Sequence, residues 1–75
     1  MDIEFRLRML ESRYRAALSA AVAAKAQYLA LAGEPGVTPR TLERAKLAWQ
    51  ILDSRKRAIA ARMGEIEELD QDARA

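Results

Sequence analysis

Residues 32–39 read Ala32-Gly33-Glu34-Pro35-Gly36-Val37-Thr38-Pro39, the one break in a chain otherwise rich in helix formers. Each residue type there has a local meaning. Gly33 suits the left-handed position just past a helix C-terminus. Pro35 has no backbone N–H and cannot continue that helix. Thr38 followed by Pro39 reads as an N-cap with proline at the first helical position. The break therefore ends one helix and starts another.

Working outward, Ala, Leu, Arg, Glu, Lys and Gln dominate both flanks, and all favour helix. The pattern predicts helix 1 over about residues 2–32, a turn over 33–38 and helix 2 over about 39–72, forming a single domain across 1–75. A linker this short makes the helices antiparallel neighbours. The expected fold class is all-α, an antiparallel two-helix hairpin, with two copies completing a four-helix bundle. Gly64 lies inside the second pattern and weakens it. Helix 2 is expected to bend or fray there, with disorder expected in the acidic end beyond it.

A heptad reading fits both helices. On helix 1 the seam rows are Leu7, Tyr14, Ala21, Tyr28 and Ile3, Leu10, Ala17, Ala24, Leu31. On helix 2 they are Leu42, Trp49, Lys56, Met63, Asp70 and Ala45, Leu52, Ile59, Ile66, Ala73. Alanines at 17, 20, 21, 24 and 26 leave the middle of helix 1 nearly bare. Small residues let backbones approach closely, so bulky side chains such as Trp49 and Leu52 are expected to fill that space. The competing reading is that alanine is there only as a helix former. Lys56 sits in a seam row, where a polar residue either sets register or lays its stem on apolar surface with its ammonium in water. The register also sets Lys25 toward Lys46 and Glu4 toward Glu67, so charge does not specify the hairpin.

Further apolar residues lie off the seam: Phe5, Met9, Ala16, Val22 and Leu29 on helix 1, Leu47, Ile51, Ala58 and Ala61 on helix 2. A lone hairpin covers one face of each helix, and a helix apolar on two faces is buried on two faces. Exposed apolar patches mark protein interfaces. Phe5, Met9, Leu47, Ile51, Trp49 and Leu52 are the expected interface residues. Ile51 is the best of these for being off the seam, whereas Trp49 and Leu52 serve the intrachain core equally well.

Composition narrows the function classes. A chain of 75 residues makes at most one small domain. Domains of this size bury a modest share of their surface and lean on disulfides, metals or oligomerisation. With Cys 0 and His 0, disulfides and the usual metal sites are out of reach, as are thiol and imidazole catalysis. Gly33 and Gly36 are not followed by the Lys-Ser/Thr of a phosphate loop. The acids from Glu65 to Asp72 read as a solvated helix face. No enzyme activity, cofactor or metal is expected. The N-terminus lacks the basic start and apolar core of a signal peptide, and no run approaches the ~20 apolar residues of a membrane span. A cytoplasmic protein without a membrane segment is the expectation.

Charge is segregated. Net charge is +2, but residues 40–63 hold seven bases against two acids, and residues 64–75 five acids against one base. Arg6, Arg13, Arg55, Arg57 and Arg62 are candidates for phosphate contacts, since nucleic-acid binding needs such clusters. The acidic end lies at the same end of the hairpin, where internal charge balance is expected to compete with that role. A basic hairpin dimer resembles the plasmid copy-number regulators of the Rop type, which implies RNA binding. The likeness is architectural, with no matching stretch of residues, so no functional position carries over. Size and plan also resemble type III secretion co-chaperones, in which a hairpin holds a partner helix. The sequence points first to a protein-interaction module that pairs with itself or with a helical partner, and less to nucleic acid.

Overall fold

The computed structural model describes residues 2–74. Two helices run antiparallel, α1 (Ile3–Ala32) and α2 (Pro39–Arg74), and no other regular element occurs among the described residues. The hairpin is a rod of 59 × 16 × 15 Å.

Local chemistry explains the ends of the helices. Asp2 has extended backbone, and its carboxylate accepts a hydrogen bond from the Glu4 N–H at 3.1 Å, which satisfies one of the orphan donors of the first turn. At the other end of α1 the Gly33 N–H donates to the Leu29 carbonyl and the Glu34 N–H to the Leu31 carbonyl, each at 3.2 Å. Gly33 itself is right-handed, with φ −90°. The left-handed residue is Gly36, at φ +87°. The left-handed position expected at Gly33 falls at Gly36 instead. The helix winds on through Gly33 because that residue still supplies a donor to Leu29, and the reversal comes three residues later, just after Pro35. Thr38 caps α2: its Oγ1 accepts from the Thr41 N–H at 3.2 Å, and its carbonyl accepts from the Leu42 N–H at 3.1 Å.

α2 continues as helix past Gly64 to Arg74. Near the end of the acidic stretch Arg74 pairs with Asp70 at 3.3 Å, a favourable placement of a base in the last turn.

The seam follows the heptad rows. On α1, both expected rows are buried or half-buried throughout, joined by Ala20. On α2 the rows are half-buried from Leu42 to Asp70, and only Ala73 is exposed. Only Leu10, 8% exposed, and Ala21, 3% exposed, are fully buried. Ala21 lies in the bare alanine stretch, so α2 covers α1 there without a large side chain from α1. Leu52 is half-buried, less enclosed than a core knob would be.

Trp49 meets α1 through Tyr28 and Lys25. Its ring stacks on Tyr28, with centroids 5.8 Å apart and planes 18° from parallel. Lys25 places its ammonium 5.5 Å from the centre of the same indole. Lys25 thereby finds an aromatic face where the register alone suggested a clash with Lys46. Cation–π contact of this kind contributes about 0.5–1 kcal/mol at exposed sites.

Lys56 is half-buried in its seam row and pairs within its own helix. Its ammonium binds Asp53 at 2.9 Å, and the other carboxylate oxygen of Asp53 binds Arg57 at 2.9 Å. Both Asp53 and Lys56 are mostly covered. Two bases converge on one acid, and the seam lysine is neutralised within its own helix. The Asp53 carboxyl is held below its ordinary value of 3.8, first by the Lys56 hydrogen bond. Burial opposes that effect, and the charges of Arg57, Lys56 and Lys25 add to it.

Candidate interaction surface

Among the described residues, eight large apolar side chains are exposed: Phe5, Met9, Leu18, Val22, Leu29, Leu47, Ile51 and Leu69. Against two buried residues, this is an inverted balance for a folded domain, since exposed apolar area of this extent marks interaction sites. Of the six expected interface residues, Phe5, Met9, Leu47 and Ile51 point outward, whereas Trp49 and Leu52 are half-buried in the seam.

The two groups do not form one patch by accident of sequence. Near the open end of the hairpin, a groove of about 510 Å³ is lined by Phe5, Met9, Leu10, Ala58, Ile59 and Ile66, with Arg6, Arg13 and Arg62 at its edges. α1 supplies one wall and α2 the other. Leu10, Ile59 and Ile66 come from the seam rows and form the floor, so the groove opens directly onto the little core the hairpin has. A smaller hollow on the other side of the seam is lined by Tyr14, Ala60, Met63, Gly64 and Glu67. The two hollows identify two sides of the hairpin, and they differ in character.

The expected phosphate-contact residues fall on both sides. Arg57 is committed to Asp53. Arg6, Arg13 and Arg62 ring the apolar groove, and Arg55 lies one heptad before Arg62 on the same side of α2. Among the described residues, Arg13, Arg55 and Arg62 make no ion pair. Ion pairs within one helix join Glu4 to Arg8, Asp53 to Lys56 and Arg57, and Asp70 to Arg74. The acids and bases project from the flanks of the seam, where short-range partners on the same helix win. The acids of α2 escape attention as interface candidates in the sequence, because charge density reads as a solvated face. Leu69 in their midst, 64% exposed, is the signal that a sequence reading passes over.

No helix among the described residues is long and apolar enough to cross a membrane, and no group of three or more acids converges on a metal-sized space. Comparison with protein-family models, curated proteins and solved structures gives no match to this chain.

Proposed function

We propose that this chain is a non-enzymatic protein-interaction module that works as a homodimer, two hairpins packing into a four-helix bundle. One observation carries the reading: a 75-residue hairpin with only Leu10 and Ala21 buried leaves eight large apolar side chains in water. A second copy is the simplest source of the missing burial, because closed twofold dimers are the commonest oligomers and hairpins pair readily into bundles. Apolar burial stabilises by about 25 cal/mol per Å², so covering this surface gives the domain a core it lacks alone. The test is light scattering coupled to size-exclusion chromatography across a concentration series. A species of twice 8.4 kDa is the expected result; a well-folded monomer at every concentration refutes the reading.

The groove supports a second reading, in which the hairpin holds an amphipathic helix of another protein, as helix-in-groove recognition does. Its signature is a sticky, poorly folded chain alone that becomes a stable one-to-one complex with its partner.

A further inference from the structure

The apolar groove near the open end carries charge of one sign only. Arg6 and Arg13 line it from α1 and Arg62 from α2, and no acid is among its lining residues. Arg6 and Arg13 are seven apart and so share one edge of α1. Counted from the Tyr28–Trp49 stack at a rise of about 1.5 Å per residue, Arg13 and Arg62 stand within about 3 Å of the same level of the rod. Two like charges thus stand on opposite walls of one apolar groove, and an anion placed between them relieves their repulsion. Arg13 and Arg62 are exposed and make no ion pair among the described residues. Glu65, one turn beyond Arg62, lies outside the lining. The smaller hollow across the seam has Glu67 in its wall and no base. The two sides of the hairpin therefore favour occupants of opposite charge.

The shape of the groove narrows the occupant further. Its walls run from Phe5 to Arg13 and from Ile66 to Ala58, each about 12 Å long at the helical rise. Three anchors of a helix at i, i+3 or i+4 and i+7 span about 10.5 Å. Phe5 is 53% exposed and Met9 43%, so the groove is open along its length. A slender acyl chain leaves most of that apolar wall wet, whereas a helix, about 10–12 Å across with its side chains, reaches both walls at once. A polyanion such as RNA engages the arginines but has no apolar face to lay on Met9, Leu10, Ile59 and Ile66.

We propose that the groove holds an acidic amphipathic helix of another protein, its apolar residues on Leu10, Ile59 and Ile66 and its flanking carboxylates on Arg13 and Arg62. A helix seated between α1 and α2 turns one flank toward each wall, so acids on both flanks meet a guanidinium on either side. Burial on the floor supplies affinity, and the arginines select the partner by charge. This rests on the held-helix reading above and adds to it the sign of the partner's charge and the length of its anchor motif.

Stapled helical peptides of about four turns provide the probe. One carries leucines at i, i+4 and i+7 with glutamates on both flanks. A second has lysines in place of the glutamates, and a third keeps the glutamates and has serines in place of the leucines. Fluorescence anisotropy with the full chain should show the leucine–glutamate peptide binding about tenfold or more tighter than either of the others, with the margin over the lysine peptide shrinking as salt rises. Arg13→Glu/Arg62→Glu should reverse the preference in favour of the lysine peptide while keeping wild-type helicity by circular dichroism. Glutamate and lysine peptides that bind alike overturn the acidic partner and leave the held-helix reading standing. Failure of all three to bind overturns the held-helix reading itself. A serine peptide that binds as well as its leucine parent shows a site that reads charge alone and overturns the helix in favour of a polyanion. Peptide released as the chain self-associates at rising concentration, followed by light scattering, overturns the foreign helix and gives the groove to a second copy.

Discussion

The indole of Trp49 lies nearly parallel to the ring of Tyr28, 5.8 Å away across the seam, and this pair ties the two helices together near the turn. Stacked aromatic pairs contribute about 0.5–1.5 kcal/mol beyond their area burial. A double-mutant cycle with Tyr28→Leu and Trp49→Leu should return a coupling in that range, read from urea denaturation. Additive effects of the two changes would show the stack to be proximity without energy. Tyr28→Leu alone should also shift the emission of the single tryptophan toward longer wavelength, as water reaches the exposed face.

Ala21 is the most enclosed described residue, 3% exposed, and α2 lies directly over it. Ala21→Leu should cost about 1–3 kcal/mol by overpacking. Ala23→Leu, two positions on and exposed, should leave monomer stability nearly unchanged. Thermal melts at low protein concentration separate the two. Equal effects would mean that the helices are not in close approach at this level.

Gly36 and Gly64 should respond in opposite directions to alanine. Gly36 holds φ +87°, a left-handed conformation that an added Cβ resists, so Gly36→Ala should destabilise by about 1 kcal/mol. Gly64 is helical, and a Cβ there meets nothing within 4 Å. Gly64→Ala should therefore stabilise by about 1 kcal/mol, seen as a higher thermal midpoint.

Asp53 gives the chain a pH dependence with a definite sign. Its carboxyl is depressed below the ordinary 3.8 by Lys56 and its other basic neighbours. A depressed folded-state value contributes stability that is present above the unfolded value and lost as pH falls through the folded one. Asp53→Asn should thus lower the melting temperature at pH 7, and the gap from wild type should close below pH ~4, the range in which an unperturbed aspartate titrates. A gap that stays constant to pH 2 would remove Asp53 from the acid response.

Ile51 is 54% exposed on the broad face. Ile51→Glu should abolish self-association and leave helical circular dichroism intact, since the side chain has no part in the seam. A variant that keeps the wild-type oligomeric mass would place the interface elsewhere.

Much of the hairpin is legible in the sequence because its determinants are local or periodic. Thr38-Pro39 starts a helix wherever it occurs, and the rows from Leu7 to Tyr28 and from Leu42 to Asp70 follow from spacing alone. What escapes is decided by competition between neighbours. Gly33 and Gly36 are equally able to turn left-handed, and the choice depends on which carbonyls still accept a hydrogen bond. Lys56 looks unpaired in a seam row until Asp53, one turn earlier, rotates onto it. Lys25 faces a lysine in register, yet its flexible stem finds the indole of Trp49. The arginines at 6, 13 and 62 are easily picked out as basic residues, but their shared edge around one groove depends on the lateral offset of two helices, which no linear pattern records.

The short turn has a kinetic consequence. Tyr28 and Trp49 meet a few residues from the reversal, and every later contact along the seam, out to Leu10 and Ile66, lies next to one already made. Loop closure then adds little entropy at each step, and a chain of this topology folds in microseconds to milliseconds. Such a hairpin closes like a zipper long before two copies meet by diffusion. In the homodimer proposed above, the speed at which the assembled form accumulates is accordingly set by collision between molecules and rises with concentration.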